Sequence, residues 1–265
     1  MFLSCEEGIF RLGSMMRKHR IFTDQALQPG QLIPLEDEVA HYLSRVLRVT
    51  AGQAVIVFNG GGSDYAAEVS LVTRAAVHLK LGSRLPSCAE SPLHITLVQA
   101  VSRGERMDLS LQKATELGIS ALQPVFTART EVRIPEDKME KRMLHWRKVI
   151  ISACEQSGRA RLPVLFSPVD VLVWAQQASQ AKRVMLAPGA DPLACMFTGR
   201  ALELLVGPEG GLEDSELEFM GRQGVVAASL GPRILRTETA GPAAIAIVQA
   251  LAGDMGARRI SSEPG

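Results

Sequence analysis

Two apolar runs that each end in a loop constrain the fold of this chain more than any other feature. Residues 204–241 read LLVGPEGGLEDSELEFMGRQGVVAASLGPRILRTETAG, so one run ends at GPEGG and the other at LGPRILRTETAG. The segment between them has a helical pattern, and a helix carries the chain back before a second strand starts. Both loops then leave the same edge of a parallel sheet. The stretch therefore predicts a pocket formed by two loops at one sheet edge.

The chain before this stretch divides into parts with different patterns. Residues 16–82 contain short apolar runs, a GGGS turn and one amphipathic stretch, EDEVAHYLSRVLR, which together predict a small β-barrel with one helix. Residues 83–92 (SRLPSCAESP) are rich in proline and serine and predict a linker. Residues 1–15 lack the long apolar core of a signal peptide, and we expect a disordered extension there.

From residue 93 to 256, apolar runs alternate with long amphipathic stretches, which is typical of an α/β fold with a parallel sheet. LHITLVQAV and ALELLV are continuous apolar runs that suit strands buried on both faces. The segment KMEKRMLHWRKVIISACEQSG predicts a long helix that ends at Gly158. Ser167 and Pro168 are placed as the N-cap and first-turn residue of a helix that reaches Ala178. Residues 257–265 are expected to form a tail.

Composition narrows the classes of function. The 29 basic and 28 acidic residues nearly cancel, although basic residues are in excess between 91 and 161, either as solvated helix faces or as a surface for RNA. The four cysteines form no C-x-x-C pair and the five histidines show no H-x-x-x-H spacing, so we expect no metal site and reduced thiols in the cytoplasm. No apolar run approaches the roughly 20 residues that span a bilayer, and we expect no membrane partner.

Arginines recur after the predicted strands, at the edge where doubly wound folds bind their ligands. Arg103 and Arg106 follow the first strand of the α/β part, Arg129 follows the next, and Arg233 and Arg236 follow the last. These side chains could reach phosphates of a nucleic acid or a ligand carboxylate. Because the chain has only two Trp and two Tyr, phosphate contacts should outweigh base stacking in any binding of RNA.

The same residues also have plainer interpretations. The GPEGG loop lacks the ending of a P-loop and the glycine spacing of a dinucleotide fold, and it could be a tight turn without a ligand. Thr237 or Thr239 could cap the last helix, and Glu238 could then serve only to favour the positive end of that helix. The residues alone leave these alternatives open.

Six motifs together are similar to one protein family. They are HRIF at 19–22, HYLSRVLR at 41–48, SRGERMDLSLQKATELG at 102–118, CEQSGR at 154–159, LLVGPEGGL at 204–212 and LGPRILRTETA at 230–240. In this order they resemble RsmE-type 16S rRNA uridine N3-methyltransferases of the SPOUT superfamily. The segment TARTEV at 127–132 departs from the family's pattern after its arginine, and this departure leaves the roles of Thr130 and Glu131 undefined.

The resemblance implies an α/β SPOUT methyltransferase domain with a parallel sheet and a C-terminal trefoil knot at 93–256, preceded by a PUA-like β-barrel RNA-binding domain at 16–82. It implies that S-adenosylmethionine binds bent in the knot, held mainly by the backbone of three loops, and that the enzyme is a homodimer with its active site at the interface. The residues that it assigns to the cofactor are Leu186, Pro188, Gly189, Val206, Gly207, Pro208, Glu209, Gly210, Gly211, Leu230, Gly231, Ile234, Leu235, Arg236 and Thr239.

The resemblance also implies a reaction, methyl transfer to N3 of a uridine near the 3′ end of 16S rRNA in the 30S subunit. N3 carries a proton and needs a base or a cation that stabilises the uridine anion. The expected catalytic residues are Glu238 as base, with Arg236 or Arg159 beside the anion. Methylation of a ribose 2′-hydroxyl and a ribosome-binding module without catalysis are the alternative functions. The residues expected to bind RNA are Arg20, Arg45, Arg48, Arg103, Arg129, Arg159 and Arg233.

Overall fold

The structure is a computed structural model that describes residues 18–256 apart from Arg74 and Thr198. Of Glu38 it describes the backbone but not the side chain. The extension expected at 1–15 and the tail expected at 257–265 lie outside the described residues. The chain divides into two compact units, and the boundary falls between Cys88 and Ala89.

The first unit is built on a mixed sheet. Within its described residues, five strands lie in the order β1-β3-β4-β5-β2, with β1 parallel to β3 and the other neighbours antiparallel. The sheet forms a half-barrel, as the short alternating runs predict. Residues alternate between buried and exposed along β2, and all five strands contribute to one apolar core, which includes Ile33, Val57 and Leu79. The strands are β1 (Arg20–Phe22), β2 (Leu32–Glu36), β3 (Ala54–Phe58), β4 (Asp64–Val72) and β5 (Ala76–Leu85).

The helical stretch of this unit differs from the single amphipathic helix that was expected. Helix α1 (Asp37–His41) passes directly into a π-helical turn, Tyr42–Val46. That turn is closed by the amide of Leu47, which donates to the carbonyl of Tyr42 at 3.0 Å. The wider turn changes the helical period, so Leu43 is buried while Tyr42 and Val46 are exposed.

The structure also shortens the linker that was expected at 83–92. Strand β5 continues to Leu85, which pairs with Asp64, and the hydroxyl of Ser87 accepts a hydrogen bond from the Asp64 amide at 3.0 Å. On the other side of the boundary, the Ser91 hydroxyl donates to the side chain of Gln249 at 2.6 Å. Ser83 to Leu85 therefore belong to the barrel sheet, and Ser91 belongs to the second unit.

The second unit confirms the predicted parallel α/β architecture. Within its described residues, the strands lie in the order β12-β10-β11-β6-β7-β8, with the short β9 also beside β7, and all of the pairs are parallel. The central strands β6 and β11 are buried almost throughout, as their continuous apolar sequences predict. The strands are β6 (His94–Ala100), β7 (Ala121–Phe126), β8 (Val164–Leu165), β9 (Val169–Asp170), β10 (Lys182–Leu186), β11 (Ala201–Val206) and β12 (Val226–Ala228).

The helices of this unit pack in two groups: α2 contacts both α3 and α7, which also contacts α5, and α4 contacts α6. The long helix α3 ends as expected at Gly158, whose φ of 84° is left-handed. No helix among the described residues is both long and apolar enough to cross a bilayer. The helices are α2 (Glu105–Glu116), α3 (Glu136–Ser157), α4 (Val171–Gln176), α5 (Leu193–Met196), α6 (Asp214–Arg222) and α7 (Thr237–Ala252).

The helix expected from Ser167 to Ala178 begins later than predicted, at Val171, and ends at Gln176. The carbonyl of Ser167 accepts a hydrogen bond from Gln123 of β7 at 2.9 Å, which holds the chain extended, and β9 then pairs with β7. Helix α4 begins only at Val171, because the side chain of Asp170 caps it by accepting the Leu172 amide at 2.8 Å.

The strand order brings three loops to one edge. From β10 the chain passes to the neighbouring β11, and it then crosses back past β10 to reach β12 on the other side. The carboxyl ends of these three parallel strands therefore share one edge, where α7 begins after residues 229–236. A trefoil knot at this edge requires such a crossing, and the knot itself stays a prediction.

Candidate active site

A cavity of about 560 Å³ lies at the carboxyl ends of β10, β11 and β12. Its volume is in the range of small-molecule sites. The loops after the three strands and the first turn of α7 form its wall. The predicted cofactor residues that line it are Leu186, Pro188, Val206, Gly207, Pro208, Glu209, Gly211, Leu230, Gly231, Ile234, Leu235 and Arg236.

Glycine backbone shapes two of these loops. Gly211 has a φ of 72° and Gly231 a φ of 97°, conformations that residues with a side chain rarely adopt. At Gly207, an added Cβ would lie 3.4 Å from the side chain of Leu212, so the loop backbone runs close against its own apolar residue. The turns therefore bring main-chain groups to the cavity surface, where they can bind a ligand.

Three predicted cofactor residues do not line the cavity. Gly189 lies beyond the lining part of its loop, next to Pro188. Gly210 faces Arg129, whose Nη1 donates to the Gly210 carbonyl at 3.0 Å, so this glycine positions the loop from behind. Thr239 is exposed on α7, and Thr237 lines the cavity instead because it stands at the first position of the helix.

The charged part of the wall contains residues from three elements. The first turn of α7 contributes Glu238, and its Oε2 accepts the Thr237 hydroxyl at 3.3 Å. From the first turn of α2, the Nη1 of Arg106 donates to Oε1 of Glu209 at 2.8 Å. This hydrogen bond and the negative charge of Glu209 raise the pKa of Arg106, with smaller contributions from Glu238 and Glu131. The remaining charged residues of the wall are Arg233 and Arg236.

Two of the arginines expected to bind RNA are exposed at the same edge of the sheet. Arg103 lies 3.3 Å from a carboxylate oxygen of Glu131, and both side chains are largely exposed. Arg129 holds the GPEGG loop through the Gly210 carbonyl, and its Nε lies 3.9 Å from Glu213. Such exposed ion pairs contribute little to stability, so a phosphate can replace the carboxylate at low cost.

Arg159 has a different place from the one expected. Its side chain is 8% exposed, and its Nη2 lies 2.6 Å from Oε2 of Glu90. The Nη1 donates to the carbonyl of Thr115 at 2.8 Å. Arg159 does not line the cavity. These buried contacts tie the end of α3 to the start of the second unit and to α2, and the expected catalytic or RNA-binding role of Arg159 stays a prediction.

In the first unit, Arg20 is likewise structural. Its guanidinium donates two hydrogen bonds to the buried carboxylate of Asp64, at 2.7 and 2.9 Å, and lies over the ring of Phe58. These contacts hold the guanidinium within the sheet of the first unit, and the expected contact of Arg20 with RNA stays a prediction. Arg45, within the π-helical turn, and Arg48, two residues after it, are exposed, and Arg48 adopts a left-handed φ of 51°.

One positioning residue was missed by sequence reasoning. Glu216 is buried on α6, where its Oε2 accepts the Glu213 amide at 2.9 Å and its Oε1 accepts the Ala128 amide at 2.8 Å. It thereby links the loop after β7 to the start of α6. The spacing of Glu213 and Glu216 is that of a capping box and could have identified the first of these bonds. Within the residues that the structure describes, no group of His, Cys, Asp and Glu side chains could hold a metal ion.

Comparisons with known proteins agree with this architecture. Residues 89–249 match the family model described as RNA methyltransferase domain, and residues 35–82 match the one described as RNA methyltransferase PUA domain. A Buchnera aphidicola protein named ribosomal RNA small subunit methyltransferase E is 32% identical over 244 residues, which cover 89% of this chain and 97% of that protein.

Two solved structures are also similar. A Neisseria gonorrhoeae ribosomal RNA small subunit methyltransferase E bound to S-adenosyl methionine is 34% identical, with a TM-score of 0.85 over 90% of this chain and 99% of that chain. A Legionella pneumophila protein in complex with the bound cofactor SAM is 37% identical, with a TM-score of 0.85 over 90% of this chain and 100% of that one. Because the domain model matches most of the chain and these relatives match it over nearly their whole length, the chain belongs to the ribosomal RNA small subunit methyltransferase E family of RNA methyltransferases.

Proposed function

We propose that this chain transfers a methyl group from S-adenosylmethionine to N3 of a uridine near the 3′ end of 16S rRNA. The observation that carries the proposal is the cavity at the carboxyl ends of β10, β11 and β12, where glycine backbone, apolar side chains and the charged first turn of α7 meet. The choice of 16S rRNA as substrate is supported by the relatives, which are named as methyltransferases of the ribosomal RNA of the small subunit.

The cavity wall fits S-adenosylmethionine in its chemistry. Leu186, Val206 and Leu235 supply apolar surface for a flat adenine ring, and the turns at Gly211 and Gly231 expose main-chain groups for its polar edge and for the ribose. The carboxylate of Glu209 suits a ligand that carries positive charge. When bound, S-adenosylmethionine supplies a methyl group that the N3 lone pair takes as the carbon–sulfur bond breaks, with that bond's electron pair remaining on sulfur.

The charged residues at the start of α7 would prepare the nucleophile. N3 of uridine carries a proton, and the lone pair becomes a good nucleophile when that proton is removed. In this proposal the carboxylate of Glu238, which lines the cavity, is the base that accepts the N3 proton. Arg236, on the same wall one residue before α7, would stabilise charge on the base or hold a neighbouring phosphate.

The RNA would be held by exposed arginines on both units. Arg103, Arg129 and Arg233 follow the carboxyl ends of β6, β7 and β12, and Arg45 and Arg48 lie in and just after the π-helical turn of the half-barrel. The described half-barrel, residues 18–88, would therefore act as an RNA-binding domain for the methyltransferase domain at 89–256.

We include in the proposal a homodimer that acts in the cytoplasm, where 30S particles are assembled. Ile234 supports the dimer, because this apolar side chain lies on the cavity wall and is 87% exposed in the single chain. A second copy of the chain would cover it and close the site.

The test is methyl transfer from S-adenosylmethionine to 30S particles and to naked 16S rRNA, followed by mass analysis of the nucleosides. We expect N3-methyluridine in at least one of the two substrates. A 2′-O-methylated nucleoside would instead assign the chain to ribose methylation. Calorimetry that detects no uptake of S-adenosylmethionine would leave only a ribosome-binding module.

A further inference from the structure

The cavity wall holds one cation, Arg106, that the sequence places at the ligand-binding edge but to which neither the cofactor, the RNA nor the catalytic assignments give a role. Arg106 stands in the first turn of α2, after Gly104, whose φ of 47° turns the chain sharply as it leaves β6. From this position the guanidinium reaches across to the GPEGG loop, where it binds Glu209 at 2.8 Å. Both residues line the cavity. The first turn of α2 thus supplies a charge to a site otherwise built from the loops after β10, β11 and β12 and the start of α7.

The exposure of this ion pair separates it from the structural arginines. The side chains of Arg106 and Glu209 are 47% and 33% exposed, whereas those of Arg159 and Arg20 are 8% and 12% exposed. A half-exposed pair contributes little to folding stability. The pair is therefore poorly explained as a support of the fold, and it leaves the guanidinium accessible from the cavity.

The charges around Arg106 keep it cationic. Its hydrogen bond to Glu209 is the largest cause of its raised pKa, and the charges of Glu238 and Glu131 act in the same direction. An arginine guanidinium is protonated throughout the pH range in which enzymes work, and these carboxylates act further in that direction. The charged residues on the elements around it are Arg103 before α2, Glu105, Asp108, Lys113 and Glu116 on α2, His145 of α3 beside Asp108, Arg129 and Glu131 after β7, Glu209 in the GPEGG loop, and Arg233, Arg236 and Glu238 at the start of α7.

We infer that Arg106 is a further catalytic residue, whose guanidinium stabilises the negative charge that uracil gains when N3 loses its proton. Glu209 is a positioning residue that holds the guanidinium at the cavity wall. This inference rests on the proposed function. In the step concerned, the N3 proton passes to the carboxylate of Glu238, and the electron pair left behind spreads over N3, O2 and O4. The cation next to one of these oxygens lowers the free energy of that anion.

The shape of arginine suits both contacts at once. A guanidinium presents five N–H donors in a plane, and the bond to Glu209 engages Nη1. The remaining donors can reach a carbonyl oxygen of the base while Glu209 stays bound. A lysine at this position would keep the charge but lose the second directed donor.

The test compares Arg106→Gln, Arg106→Lys and Glu209→Gln with a control, Arg222→Gln. Arg222 is an exposed arginine on α6 that pairs with Glu218. We expect Arg106→Gln to slow methyl transfer by about 100-fold or more, which is the usual effect of removing one donor from a developing anion. Arg106→Lys should retain part of the rate, Glu209→Gln should lose less than Arg106→Gln, and the control should match the unaltered enzyme. Calorimetry should find the same affinity for S-adenosylmethionine in Arg106→Gln, Arg106→Lys and Arg222→Gln as in the unaltered enzyme.

Two readouts separate stabilisation of the anion from a structural role. Without Arg106 the uracil anion is less stable, so N3 in the complex has a higher pKa and the rate should rise with pH at more alkaline values than in the unaltered enzyme. A substrate RNA with 5-fluorouridine at the methylated position has a more acidic N3, and it should recover part of the rate of Arg106→Gln.

The possible results distinguish the inference from the proposed function. If the unaltered enzyme forms no N3-methyluridine, the proposed function fails and the inference fails with it. If the unaltered enzyme forms it and Arg106→Gln keeps its rate, only the inference is overturned. It is also overturned by a slow Arg106→Gln variant whose pH profile stays unchanged and which 5-fluorouridine does not rescue.

Discussion

At the scale of single residues, the surroundings of an arginine decide what it can do. Arg159 and Arg106 both hold carboxylates, at 2.6 and 2.8 Å. The guanidinium of Arg159 is buried against Glu90 and the Thr115 carbonyl, so its charge is paired within the protein and stabilises the fold. That of Arg106 is half-exposed on the cavity wall and remains accessible to a substrate.

Arg159→Ala tests the structural assignment. The change would leave Glu90 partly buried without its ionic partner, which typically destabilises a protein by about 3 kcal/mol or more. Urea unfolding of the second unit should show this loss, while Arg161→Ala, the exposed neighbour, should change the stability by less than about 0.5 kcal/mol. An Arg159→Ala protein of normal stability that no longer methylates RNA would contradict the structural assignment and support a catalytic role for Arg159.

Glu238→Gln tests the proposed base. The amide keeps the size of the side chain but cannot take the N3 proton, so methyl transfer should fall by about 100-fold or more. The affinity for S-adenosylmethionine, measured by calorimetry, should stay nearly unchanged. Glu218→Gln on the exposed face of α6 is the matched control. Unchanged turnover in Glu238→Gln would remove this residue from the mechanism and leave it a charge at the positive end of α7.

At the scale of elements, the end of α2 is held by a contact that its sequence does not show. Gly118 follows this helix with a φ of 85°, and an added Cβ would lie 2.8 Å from Nε2 of Gln249. Gln249, buried on α7, donates to the carbonyl of Leu117 at 2.9 Å and accepts from Ser91. The glycine thus serves both the backbone turn and the close packing of α7, which carries Glu238.

Two glycine substitutions separate these effects. Gly158 ends α3 with nearly the same φ, 84°, and has open space where a Cβ would lie. Gly158→Ala should therefore cost only the left-handed strain, about 1 kcal/mol. Gly118→Ala adds the collision with Gln249, and its loss of stability in urea unfolding should be clearly larger. Equal losses of stability in the two variants would show that the close contact between Gly118 and Gln249 does not affect the free energy of unfolding.

The π-helical turn of the half-barrel is the element that we expect to meet RNA. Replacing Arg45 and Arg48 together by glutamate should weaken binding to 16S rRNA at low salt, and it should reduce the salt dependence by about one phosphate contact for each residue. Lys80→Glu, an exposed change of the same sign on β5, is the control. An affinity for rRNA that is equal in the double variant and the unaltered protein would contradict this role.

At the scale of the whole molecule, what the sequence predicts well depends on local patterns. The parallel sheet follows from the alternation of apolar runs and helices, and the cavity follows from glycine-rich loops after two of those runs. Each of these two predictions depends only on short stretches of consecutive residues. The partners of the arginines could not be predicted in this way: Glu90 lies 69 positions from Arg159, and Asp64 lies 44 positions from Arg20. The choice between Arg103 and Arg106, which share one motif, likewise depends on how α2 sits against the GPEGG loop.

The most direct test of the account is reverse transcription across the 3′ region of 16S rRNA from cells that lack the gene and from cells that carry it on a plasmid. A methyl group on N3 removes the N–H that pairs with adenine, so it stops the polymerase, whereas a ribose methyl leaves the pairing edge intact. We predict a stop at one uridine near the 3′ end that is present only in the cells with the gene. A stop that occurs in both strains, or in neither, would contradict the proposed function.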